Sequence, residues 1–169
     1  MDGFQAALEE LEGMFFEDDF GFEDDEYDGD YWDEDENVTI LDAAPDGLEP
    51  TYLPEGMVFE DAYSYTDEDG LTDEGVFYFN EANESYIDIN RLNLTLDEAM
   101  GLYGEDLMAE VAELPSKDIA GTIVYIEQSV EEGEDYITAY FNKEDGLYTI
   151  DSNLSEAEMN VILSSLLGQ

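Results

Sequence analysis

Three basic residues, Arg91, Lys117 and Lys143, stand against 48 acidic ones in this 169-residue chain, and that imbalance constrains it more than any motif. At a net charge of −45, every compact state works against self-repulsion. Counterions soften this over a Debye length of about 8 Å at physiological salt without removing it. The first 50 residues hold 20 acids and no base, and residues 51–169 hold 28 acids and all three bases. Acidity is therefore general rather than confined to a tail. Yet 43% of the residues are hydrophobic and 13% aromatic, so a globular core must form beneath a surface of one sign.

The charge sorts the possible partners. Binding nucleic acid requires Lys and Arg to displace counterions from phosphates, and anionic membranes repel the same surface. Neither nucleic acid nor a membrane is therefore an expected partner of this chain; basic proteins and divalent cations are the species attracted. The absence of Cys removes thiolate chemistry, and the absence of His removes the commonest general base and metal ligand. Carboxylate pairs are too abundant to single out an acid–base couple. Ser116-Lys117 is a poor dyad if, as expected, the two are neighbours on a loop. No Gly-rich phosphate loop is present. A non-enzymatic protein without cofactor is the expectation. No apolar run approaches the ~20 residues of a membrane span. The start Met-Asp-Gly-Phe lacks a basic leader region. This points to the cytoplasm, or to an extracytoplasmic protein if Met1 is not the native start.

Along the chain, two parts are expected: an acidic, aromatic segment over 1–37 and one α+β domain over 38–169. Phe4, Ala7, Leu8, Leu11 and Phe15 recur at helical spacing and predict a short amphipathic helix over 3–14. In the stretch that follows, Phe20, Phe22, Tyr27, Tyr31 and Trp32 interleave with Asp24, Asp25, Asp28, Asp30, Asp33 and Asp35. A solvated linker needs no such rings; a segment lying on a basic, partly apolar surface does. These eleven residues are the candidate partner-binding set. The run 24–35 also offers Asp24, Glu26, Asp28 and Asp35 at positions 1, 3, 5 and 12 of a calcium loop, with Gly29 at position 6. Asp at position 12 and the lack of flanking helices weaken that match.

From residue 38 the pattern becomes that of strands and turns. Strands are expected at 38–41, 57–65, 75–80, 85–91, 119–129, 135–142 and 147–151, with turns at Ala44–Gly47, Glu131–Glu134 and Asp145-Gly146. Thr95 to Glu98 has capping-box spacing and opens a short helix ending near Gly101 or Gly104, while 105–114 reads as either helix or strand. Ser155 and Glu158 form a second capping box, with Leu154 and Met159 as staple and Met159, Ile162, Leu163 and Leu166 as apolar face. The expected fold is α+β: a largely antiparallel, curved sheet with helices on one face and no internal repeat.

The order Tyr52-Leu53-Pro54-Glu55-Gly56, Ile119-Ala120-Gly121, Val124-Tyr125-Ile126, Asp145-Gly146-Leu147-Tyr148, Leu154-Ser155-Glu156 and Ile162-Leu163-Ser164-Ser165-Leu166 runs through residues 51–167. It resembles an uncharacterised bacterial domain family, mainly of Firmicutes, often found as the extracytoplasmic C-terminal part of anti-sigma-factor-like membrane proteins. The resemblance implies a fold similar to lipoprotein-carrier and periplasmic sigma-regulator domains. Two departures stand out: Ala139-Tyr140-Phe141 occupies a stretch where that family usually has Trp, and the family's preceding membrane span is missing.

Two functions follow. The first is a protein that imitates the charge of nucleic acid and occupies the basic surface of a nucleic-acid-binding protein, as phage and mobile-element inhibitors of restriction or CRISPR systems do. The alternative, implied by the resemblance, is an extracytoplasmic sensor or regulatory domain with 16–37 as an acidic stalk.

Overall fold

Alternation of buried and half-buried residues along the central strands builds a single antiparallel sheet. In the computed structural model, which describes residues 38–103 and 110–168, eight strands and two helices are described in full. The expected N-terminal helix, the candidate partner-binding residues Phe20 to Asp35 and the calcium-loop match lie outside the described residues. The strands are β1 (Val38–Leu41), β2 (Val58–Thr66), β3 (Thr72–Asn80), β4 (Ser85–Leu92), β5 (Ser116–Ile119), β6 (Thr122–Glu131), β7 (Glu134–Lys143) and β8 (Gly146–Ser152). The helices are α1 (Leu96–Tyr103), between β4 and β5, and α2 (Glu156–Leu167), after β8. Residues 110–113, ambiguous by periodicity, are helical.

The sheet order is β1-β2-β3-β4-β8-β7-β6-β5. Two four-stranded meanders are thus joined along their last strands, β4 against β8. The curved, antiparallel sheet is as expected, with one strand more. The expected strand 119–129 is β6 from Thr122 onward, but its first residues belong to a separate strand and turn, because the chain reverses at Ala120 (φ 53°) and Gly121 (φ 86°). The Asp118 carboxylate holds this turn by accepting the Gly121 N–H at 2.9 Å. An alanine in the left-handed region gives no sequence warning, so the turn was hidden. Ser116 and Lys117 accordingly lie on strand β5, not on a loop.

Register separates the faces. Ala62, Val76, Ile89, Ile150, Ala139 and Ile126 form one continuous row across β2, β3, β4, β8, β7 and β6. This face packs against Met159, Ile162, Leu163 and Leu166 of α2 and against Leu48 and Met57 of the β1–β2 connection. A second cluster, Leu94, Leu96, Ala99, Val111 and Leu147 with Leu92, Tyr125 and Tyr140 beside it, uses side chains of opposite parity. Helix α1 therefore packs on the face opposite to α2, which corrects the expectation of helices on one face.

The physical reason is the parity at which β4 and β8 end, since the same short motif follows each of them. Asn93-Leu94-Thr95-Leu96-Asp97-Glu98 follows β4, and Asn153-Leu154-Ser155-Glu156-Ala157-Glu158 follows β8. Each Asn side chain clips a neighbouring hairpin. Asn93 accepts from Thr72 N–H and donates to Gly70 C=O, and Asn153 accepts from Tyr86 N–H and donates to Glu84 C=O. Each Thr or Ser then shares a capping box with its Glu. The last residue of β4, Leu92, points to one face, and the last of β8, Ser152, to the other. The same exit motif consequently delivers its helix to opposite sides.

Candidate protein-binding face

The face that α2 does not cover is built from residues alternating with the core. One row reads Tyr63, Gly75, Asn90, Thr149, Tyr140, Tyr125, and the next Asp61, Phe77, Asp88, Asp151, Thr138, Glu127. Phe79, Tyr86 and Tyr136 lie beyond. Helix α1 and residues 110–114 bury the end near Leu92 and Leu147. Among the described residues, the buried clusters stop short of the Asp61–Glu127 row. Its aromatic and acidic side chains are mostly half-buried, Asp61 being exposed. At the β1 edge the same face exposes Val38 and Ile40, the latter 73% accessible beside Tyr63.

The rings form a chain. Phe77 stacks with Phe79 at 6.3 Å and with Tyr86 at 5.9 Å, and Tyr86 approaches Tyr136 at 6.5 Å. Hydroxyls tie the carboxylates between them. Tyr86 Oη donates to Asp151 Oδ2 at 2.6 Å, Thr138 Oγ1 to Asp151 Oδ1 at 2.8 Å, and Tyr140 Oη to Glu127 Oε2 at 3.3 Å. Tyr63 Oη sits 2.9 Å from Asn90 Oδ1 and 3.1 Å from Asp73 Oδ1. Gly75 makes that reach possible: a Cβ there would lie 2.3 Å from the Tyr63 ring and 2.5 Å from Asn90 Oδ1.

Asp88 and Asp151 are directly opposite across β4 and β8, an arrangement in which like charges destabilise a sheet. Burial pushes the Asp88 carboxyl up; Asn90, donating at 3.0 Å, opposes this, and the charges of Asp151, Asp61 and Asp73 add to it. Asp73 is raised too, first by burial, against the Tyr63 hydroxyl. Burial and the neighbouring carboxylates also raise Tyr63 and Tyr86, and Tyr140 is pushed up to about 12. These tyrosines remain neutral donors. Among the described residues no group of three or more acidic side chains is placed to hold a metal ion.

All three bases of the chain belong to the other face. Arg91 donates to Glu74, to Asp145 Oδ2 at 2.7 Å and to Asp46 C=O at 2.9 Å, pinning the Pro45–Leu48 turn to the sheet beside the Tyr148 ring. Lys117 bonds Asn160 and Glu156 of α2, and Lys143 lies over the Tyr148 ring at 5.6 Å. The acidic face carries no base at all. Sequence reasoning placed acid–aromatic interleaving in 16–37 and missed the same pattern here; Phe77, Asp88 and Asp151 come from three strands, and only register brings them together.

The sequence profile of the domain of unknown function DUF4367 matches residues 47–166, and the chain belongs to that family. No curated protein matches it, and no solved structure does.

Proposed function

We propose, on the chemistry of the chain itself, since membership of the DUF4367 family brings no activity, that it is a non-catalytic binding protein whose partner is a basic protein. The observation that carries this is the segregation of charge: three bases engaged on the covered face, and an opposite face of carboxylates and rings with none. A surface of −45 overall imitates the charge of nucleic acid, and carboxylate–guanidinium pairs give it geometry as well as attraction. The basic surface of a nucleic-acid-binding protein is the site it would occupy, and the acidic–aromatic residues Phe20 to Asp35 are a separate candidate for contact with it.

The test is capture from a lysate on the immobilised chain, followed by competition on the purified captured protein. Elution by salt and by duplex DNA is expected. A captured protein indifferent to both would end the reading. A second reading, implied by the resemblance of residues 51–167, is a sensor or regulatory domain of an anti-sigma-factor-like protein with residues 16–37 as stalk. An in-frame membrane span encoded upstream of Met1 would favour it over the first.

A further inference from the structure

We propose that the uncovered sheet face docks an extended, arginine-bearing segment of the partner, with a guanidinium held between Asp88 and Asp151 and laid against Phe77 and Tyr86. This rests on the reading of a basic partner and names where and how that partner is gripped.

The face is unpartnered among the described residues, and its charge and shape select the occupant. It carries no base, so the Asp88–Asp151 pair has no cation of its own to neutralise it. Asp88 is flanked by Phe77 across β3, Asp151 across β8, and Tyr86 two residues back on its own strand. Both oxygens of Asp151 already accept hydroxyl donors. Asp88 accepts Asn90 on Oδ1, and among the described residues its Oδ2 accepts nothing. A group that pairs with two carboxylates while lying flat on a ring is a guanidinium, which is planar, forked and weakly hydrated. An ammonium satisfies the charge but not the stacking. Exposed Val38 and Ile40 at the β1 edge provide apolar ground for the rest of the segment. A second copy of this chain brings the same negative surface and is disfavoured by charge.

Nona-arginine and nona-lysine peptides are the probes, titrated into the full chain at 150 mM NaCl by calorimetry. Nona-arginine is expected to bind about fivefold more tightly than nona-lysine, through stacking and bidentate pairing. Asp88→Asn with Asp151→Asn should weaken nona-arginine about tenfold and erase the preference. Glu131→Gln with Glu132→Gln, the same change of charge on an exposed turn, should alter binding by less than about twofold. Phe77→Leu, which leaves charge untouched, should lower nona-arginine about threefold and spare nona-lysine. If the Asp pair variant does not fold, Phe77→Leu decides alone. Equal losses in the Asp and Glu variants would overturn this proposal while leaving a basic partner in place. No binding of either peptide to the unaltered chain would overturn both. A dimer that Phe77→Leu dissociates would assign the face to a second copy and also overturn it.

Discussion

The two faces of this sheet are made from the same strands, residue by residue in alternation, yet they solve opposite problems. On the face under α2, each cation has a partner and the side chains between are fully buried: Ile89, Ile150 and Ala139 are inaccessible to solvent. On the other, like charges sit directly opposite each other in the middle of the sheet and rings remain half-buried. Sheet stability is a sum of cross-strand pairs. A fold optimised only for stability would not set Asp88 against Asp151 while placing all three of its bases elsewhere. The difference teaches that most of the buried core lies on one face, while on the other α1 and its cluster close only the end near Leu92 and Leu147 and leave the Asp88–Asp151 region free to be selected for something else.

The strongest way to break that comparison is to truncate one large side chain on each face. Ile150→Ala, which opens a cavity at a fully buried site, should cost about 2–5 kcal/mol in urea unfolding. Phe77→Ala should cost about 1 kcal/mol, since only part of the ring is removed from water. Equal costs would make the acidic face a second core. Next in size is the clamp on the covered face. Arg91→Met strands Glu74 and Asp145 and releases the Pro45–Leu48 turn, for a loss of about 2–3 kcal/mol after allowing for the exposure of Asp145. Lys117→Met, whose pair with Glu156 is open to solvent, should cost less than about 1 kcal/mol. If the two substitutions cost the same, the covered face is not organised around Arg91.

What could be read in advance follows the range of the interactions. Both capping boxes, the staple of Leu154 and Met159, the apolar face of α2 and most strand positions were legible, because each depends on residues within a turn or two of one another. The β5–β6 turn was not, since Ala120 at positive φ is held by the Asp118 side chain rather than announced by residue type. Nor was the side on which α1 packs, which depends on whether Leu92 or its neighbour ends β4. Gly75 shows the limit most plainly. Along β3 it is an unexplained gap in a strand, and only beside Tyr63 on β2 and Asn90 on β4 does it become the space into which a tyrosine ring fits. Composition raised the expectation of a basic partner; the surface proposed to meet it exists only after three strands are in register.

The smallest expected effect is the most particular to the acidic face, because its sign is opposite to that of most mutations. Asp88→Asn should stabilise the chain at pH 7 and low salt by a few tenths to about 1 kcal/mol, through loss of repulsion from Asp151. The pH dependence gives the same answer independently. Asp88 and Asp73 have folded-state pKa values above their unfolded ones, chiefly through burial. A raised carboxyl binds its proton more tightly in the folded chain, so the penalty for ionising it is complete at neutral pH and fades as pH falls through the raised value toward the unfolded one. Asp145 runs the other way: against burial, the Tyr148 hydroxyl and Arg91 hold it low, and its contribution is lost only as pH falls below the ordinary carboxylate range. Stability should therefore climb on mild acidification from pH 7 and turn over only at lower pH, and 1 M NaCl at pH 7 should raise it by screening. In Asp88→Asn both the acid-side climb and the salt response should be shallower than in the unaltered chain. Urea midpoints that fall steadily from pH 7 to 5, or a variant less stable than its parent at pH 7, would show that the Asp88–Asp151 juxtaposition carries no strain.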